Sequence, residues 1–124
     1  MEENLTRSIE DYLEAIYVFE LKGENNIPSL KVAKTLNVSK AAVAKAMNRL
    51  HDEGYILKEL YGQISLTEKG REIGRLVYDK HKTIKEFLIK IGVSEKNAEI
   101  DCCKIEHIIC SETLSKIKEF NKNH

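Results

Sequence analysis

PSLKVAKTLNVSKAAVAKAMNRL, residues 28–50, holds two short helical patterns separated by one turn. After Pro28, the only proline, Ser29 caps a helix carrying Leu30, Val32, Ala33 and Leu36. Asn37-Val38 interrupts it, and Ser39 caps a second helix whose Val43, Met47 and Leu50, spaced four and three, form an inward stripe. On a helical wheel Ala41, Ala42, Lys45, Asn48 and Arg49 fall opposite that stripe. The stretch has five basic residues, Lys31, Lys34, Lys40, Lys45 and Arg49, and no acidic one. The 124-residue chain as a whole balances 20 basic against 20 acidic residues, so its basic character is local.

Working upstream, Ile9, Tyr12, Leu13, Ile16 and Tyr17 place an apolar stripe on a helix over residues 6–21, with Thr6 or Ser8 as its cap. Downstream, Gly54 closes the second short helix. Tyr55–Leu60 and Gln63–Leu66 are β-capable runs around Tyr61-Gly62, which predicts a hairpin. Thr67-Glu-Lys-Gly opens a long helix to about Lys90, striped by Ile73, Leu76, Val77, Ile84, Phe87 and Leu88. Gly92 ends it, Ser94 caps a fifth helix reaching about Cys110, and Ser111–Phe120 forms a sixth. The expected fold is mainly α: a winged helix-turn-helix domain over residues 1–68 and a helical domain over 69–124.

In such a fold the second short helix enters a major groove. Lysine and arginine there meet phosphates or guanine edges, asparagine reads adenine, and alanine touches thymine methyls. An ordinary solvated helix face carries the same charges, and the adjoining turn and hairpin are what favour DNA. Ser39, Lys40, Ala41, Ala42, Lys45, Asn48 and Arg49 are the candidate contacts, with Gln63 in the wing.

The longest apolar runs are far short of a membrane span, and the opening MEENLTRS has neither the charged nor the apolar region of a signal peptide. A cytoplasmic protein with no membrane partner is expected. Cys102, Cys103 and Cys110, odd in number and clustered, do not form a disulfide framework and are expected to be reduced. The absence of an HExxH run, a Ser-His-Asp order or a phosphate-binding glycine loop argues against an enzyme and against a small organic substrate.

A second signal is a set of metal-ligand residue types. Cys103, Glu106 and His107 stand at i, i+3 and i+4, placing thiol, carboxylate and imidazole on one helix face, opposite Ile105, Ile108 and Ile109. Asp11 and Glu14 are an i, i+3 pair away from the first helix's stripe, and His81 lies one turn after Val77. Each has a plainer reading: the two carboxylates complement a helix dipole, His81 packs through a hydrogen bond, and the triad is chance. Cys102 reads as packing and Cys110 stays open. His51 and His124 have no partner pattern.

Four segments, Ile9-Glu-Asp-Tyr-Leu-Glu-Ala-Ile-Tyr, Val38-Ser-Lys-Ala-Ala-Val, Leu66-Thr-Glu-Lys-Gly and Cys103-Lys-Ile-Glu-His, together resemble the diphtheria toxin repressor family of iron- and manganese-dependent regulators. The resemblance spans nearly the whole chain. It implies a winged-helix domain, a helical dimerisation domain, and a homodimer that binds a palindromic operator in double-stranded DNA when metal is present, usually as a repressor of metal-homeostasis genes. It also implies metal ligands at Asp11, Glu14, His81, Cys103, Glu106 and His107, holding Mn(II), Fe(II) or another divalent transition ion. Asp11 is similar to the manganese-responsive branch, whereas Cys103 is similar to iron-responsive relatives, and ligand chemistry leaves both metals open. Many relatives have an arginine in the wing, where this chain has Lys58 and Gln63 around Tyr61-Gly62. A regulator sensing oxidants through Cys102, Cys103 or Cys110 is the alternative of a different class.

Overall fold

A computed structural model describes residues 2–124, with side chains from Ser8 onward. The order of elements is α1 (Glu2–Leu21), β1 (Ile27–Pro28), α2 (Ser29–Leu36), α3 (Lys40–Asp52), β2 (Ile56–Lys58), β3 (Gln63–Leu66), α4 (Glu68–Lys90), α5 (Glu95–Ile105) and α6 (Ser111–Asn123). The chain divides into two compact units, one ending at Leu76 and the other spanning Val77–His124, so the division falls within α4.

The first unit is organised by α1. Its Tyr12, Leu13, Ile16 and Phe19 are buried and share a core with Val32, Val43, Met47, Leu50, Ile56 and Ile64. Each such side chain contributes roughly 1.5–3 kcal/mol on burial. Phe19 joins the stripe one turn beyond Ile16, while Tyr17 is only half-buried. Helix α1 begins before the expected residue 6, so Ser8 lies inside it and is not its cap; the side chain of Thr6 lies outside the described residues.

Between α2 and α3 the turn is made by Asn37, which adopts a left-handed conformation (φ 56°, ψ 49°). Asparagine tolerates this better than most residues because its short amide can bond locally. The Val38 N–H then donates to the Ala33 carbonyl at 3.0 Å. Ser39 caps α3, its Oγ accepting from the Ala42 N–H at 3.0 Å. Helix α2 differs from expectation: Pro28 is its cap residue, with no side-chain bond, and Ser29 is its first residue. Leu30, expected in the stripe, is 54% exposed, since 30 is out of phase with the buried Val32 and Ala33.

The hairpin forms as expected, β2 pairing antiparallel with β3 in the register Ile56↔Leu66 and Lys58↔Ile64. A third strand was not foreseen: Ile27–Pro28 pairs with β3 on its other edge, Ile27 facing Ile64. Two residues carry no periodicity, and proline is tolerated because an edge strand has one unpaired side. At the base of the wing, the Thr67 hydroxyl donates to the Gly54 carbonyl at 2.7 Å and accepts from the Gly70 N–H at 3.1 Å. A Cβ at Gly70 would stand 2.1 Å from the Tyr55 carbonyl oxygen, so α4 can pass this close only with glycine there.

In the second unit Val77, Ile84, Ala98 and Cys102 are buried. Phe87 meets Phe120 edge-to-face at 5.3 Å, and the Asn121 amide donates to the Thr83 carbonyl at 3.0 Å, which fastens α6 to α4. Ser94 caps α5 through the Asn97 N–H at 3.3 Å. Helix α5 is shorter than expected, ending at Ile105. The following residues tighten into i→i+3 bonding, as in Ile108 N–H to Ile105 carbonyl at 3.0 Å, and Cys110 is extended before α6. Ile108 consequently turns outward and is 81% exposed instead of forming a packing face. Leu76 of the expected α4 stripe is likewise exposed. Among the described residues no helix is long and apolar enough to cross a membrane.

Candidate nucleic-acid interface and metal centre

Helix α3 buries Val43, Met47 and Leu50 and thereby turns Lys40, Ala41, Ala42 and Lys45 to the surface. Ser39 spends its hydroxyl on the cap. Two expected readers are engaged at the far end of the helix: the Asn48 Oδ1 accepts from the Lys58 ammonium of β2, and the Arg49 Nε lies 3.1 Å from the Glu53 carboxylate. Both contacts are solvent-exposed, where such pairs contribute little and exchange readily for a phosphate or base edge. Gln63 is half-buried at the start of β3. The wing tip itself is Leu60-Tyr61-Gly62, with Tyr61 at φ 60° and 94% exposed. Sequence pattern did not mark Tyr61 as a candidate contact; a tyrosine beside a glycine in a two-residue turn was the available signal.

In the second unit the chemistry gathers around His81. Its Nδ1 lies 2.9 Å from Glu106 Oε2 and its Nε2 2.7 Å from Glu99 Oε2, so a carboxyl group holds each ring nitrogen. The Cys102 sulfur lies 3.6 Å from both ring nitrogens, and the Cys103 sulfur 3.9 Å from Nδ1. Glu106 is only 2% exposed, and His107 Nε2 sits 3.3 Å from its other oxygen. Burial of a carboxyl group is unfavourable unless hydrogen bonds or a cation compensate it. Burial pushes the Cys102 thiol well above the ordinary cysteine range, and its bond to Glu99 adds to this.

Of the metal candidates, the structure thus brings His81 to Glu106 and Cys103, and His107 to Glu106. Asp11 and Glu14 are both half-buried on successive turns of α1 in the first unit. Burial, followed by the charge of Asp11, raises the pKa of neighbouring Tyr12. Two further side chains of ligand type stand beside His81. Glu99 went unnoticed, although 99, 102 and 103 repeat the i, i+3, i+4 spacing that singled out 103, 106 and 107. Cys102 packs in the interior as expected, fully buried, and its sulfur also faces the imidazole. Cys110 lies apart from these groups at the start of α6, exposed, with its thiol pKa lowered by hydrogen bonding to the Thr113 hydroxyl.

Imidazole, carboxylate and thiol together are a donor set suited to a divalent transition ion, and a cation would offset the buried Glu106.

Comparison with known proteins matches both halves. Residues 4–64 match the model of the iron dependent repressor N-terminal DNA binding domain, and residues 67–124 that of the iron dependent repressor metal binding and dimerisation domain. The chain is 44% identical over 117 residues to an uncharacterized HTH-type transcriptional regulator of Methanocaldococcus jannaschii, covering 94% of each. It is 40% identical over 114 residues to the HTH-type transcriptional regulator MntR of Geobacillus kaustophilus, covering 90% of this chain and 79% of that protein. The solved structure of the manganese regulator SloR superposes with a TM-score of 0.80 at 26% identity, over 94% of this chain and 54% of the other. The chain therefore spans about half the length of that solved structure.

Proposed function

This chain belongs to the diphtheria toxin repressor family of metal-dependent transcriptional regulators, and from that premise we propose that it is a cytoplasmic repressor, activated by Mn(II) or Fe(II), of metal-homeostasis genes. The family's two domains imply operator DNA and a homodimer as partners. The operator is a palindrome whose half-sites lie about one helical turn, or a multiple of it, apart, because each protomer presents one α3. Ile89, Ile91, Ile100 and Ile108 of the second unit are exposed, and covering them is a reason for two copies to associate.

Asp11, Glu14, His81, Cys103, Glu106 and His107 are the residues that would hold the regulatory ion. A bound ion would supply the positive charge by which carboxylates from α1 and donors from α4 and the end of α5 could be satisfied together. This favours one arrangement of the recognition helices over the rest. Lys40, Lys45 and Arg49 then neutralise phosphates, while Ala41, Ala42 and Asn48 meet base edges. An ion that prefers the DNA-competent arrangement raises DNA affinity, and DNA raises ion affinity by the same factor.

The observation that carries this reading is the presence in one chain of a capped, basic α3 and of His81 held between carboxyl groups beside thiols. Its test is anaerobic binding of the protein to DNA from upstream of its own gene at fixed salt, comparing chelator, Mn(II) and Fe(II). Tight binding only with an ion supports the reading, and the ion acting at the lower free concentration is the activator. Binding that ignores metal would overturn it.

A further inference from the structure

Within the second unit, His81, Glu99, Cys102 and Cys103 each offer one donor atom, all within 4.8 Å of one another. Only His81 and Cys103 belong to the regulatory set proposed above. We propose that these four residues form a distinct site for a soft divalent ion, zinc being the best match, bound by one imidazole nitrogen, one carboxylate oxygen and two thiolates.

The separations fit such an ion. Tetrahedral zinc with ordinary bonds to nitrogen, oxygen and sulfur sets ligand atoms roughly 3.3–3.8 Å apart. Cys102 Sγ lies 3.4 Å from Glu99 Oε2 and 3.6 Å from His81 Nε2, and the donor atom of Cys103 lies within 4.8 Å of the other three. The 2.7 Å His81–Glu99 hydrogen bond opens by about half an ångström when an ion replaces its proton, and the Cys103 thiol closes on the ion from within 4.8 Å of the other donors. The buried Glu106 then keeps His81 oriented through Nδ1, the carboxylate–histidine–metal arrangement that fixes an imidazole ligand. Cys102 is fully buried whereas Glu99 and Cys103 are exposed, so the site has a closed floor and an open side for entry. Two thiol protons and the proton shared by His81 and Glu99 leave to solvent as the ion binds.

Two sulfurs select zinc, cobalt or cadmium over manganese. The site uses neither Asp11 nor Glu14, yet it takes His81 and Cys103. A soft ion seated here withdraws two ligands from the regulatory set, so the site discriminates against the wrong metal.

The test is an anaerobic Co(II) titration of the full chain, followed by thiolate-to-cobalt charge-transfer absorption and by competition with Zn(II). The charge-transfer band is expected to fall by about half in Cys102→Ala, with at least a tenfold loss of affinity. Asp11→Asn combined with Glu14→Gln should leave band and affinity within twofold of the original. Glu99→Gln, on the exposed side, should cost at least tenfold and supplies the same reading if Cys102→Ala fails to fold. An unchanged band and affinity in the Cys102 or Glu99 variant, or loss of the band in the α1 double variant, overturns the proposal. Because the readout involves no DNA, its failure is separable from failure of the regulatory reading.

Discussion

The two units solve different physical problems. In the first, the buried residues among those described are apolar, and the polar work is done by caps and turns at the surface: Ser39 on α3, Asn37 in the turn, Thr67 at the wing base. In the second, a carboxyl group and a thiol are buried beside a histidine. A reader of DNA needs a rigid helix presented at fixed pitch, which packing supplies. A sensor needs an interior whose stability depends on what binds there, and buried donor groups held to one another by hydrogen bonds that an ion can replace supply that.

The largest effect is expected in the core of the first unit. Leu50→Ala removes a fully buried side chain of α3 and is expected to cost about 2–5 kcal/mol, with no rescue by metal, as read from denaturant unfolding with and without Mn(II). In the second unit the stabilisation should come from the ion. At a free concentration about a hundredfold above its dissociation constant, a native-state ligand adds about 2.7 kcal/mol. Glu106→Gln is expected to lose most of that increment while the metal-free protein changes far less, in the same measurement. An equal loss with and without metal would make Glu106 a packing residue.

A smaller effect separates capping from packing. Ser39→Ala should cost about 1 kcal/mol through the lost bond to Ala42, and it should weaken DNA binding without moving metal affinity. The least structural probe is thiol reactivity. Cys110 is exposed with its pKa lowered, so its thiolate fraction rises with pH at lower values than an ordinary cysteine's, and it should be the first alkylated near neutrality. Cys102, buried and with its pKa raised, should be last. Mass-resolved labelling over a pH series reads the order.

Most of the first unit was legible in the sequence because its forces are local and periodic. The spacing of Val43, Met47 and Leu50, the cap at Ser39 and the break at Asn37 fix the helix-turn-helix without reference to distant residues. What escaped is what only tertiary pairing decides. Ile27-Pro28 becomes a strand because β3 has a free edge, and Phe19 enters the core because α1 is packed over more than one turn of contacts. The end of α5 at Ile105 has no glycine or proline to announce it, which is why Ile108 was placed on the wrong face. Around His81 the types of donor were readable, but not which carboxyl group meets which nitrogen. Glu99 lies 18 residues from His81 in sequence and 2.7 Å from it in space.

Ion binding and DNA binding are, on this mechanism, one coupled equilibrium. The most direct measurement is a calorimetric Mn(II) titration of the dimer with and without operator, at fixed salt and under anaerobic conditions. Operator is expected to tighten Mn(II) binding by the same factor, about 5–150-fold, by which Mn(II) tightens operator binding. Equal Mn(II) affinities in the two titrations would contradict it.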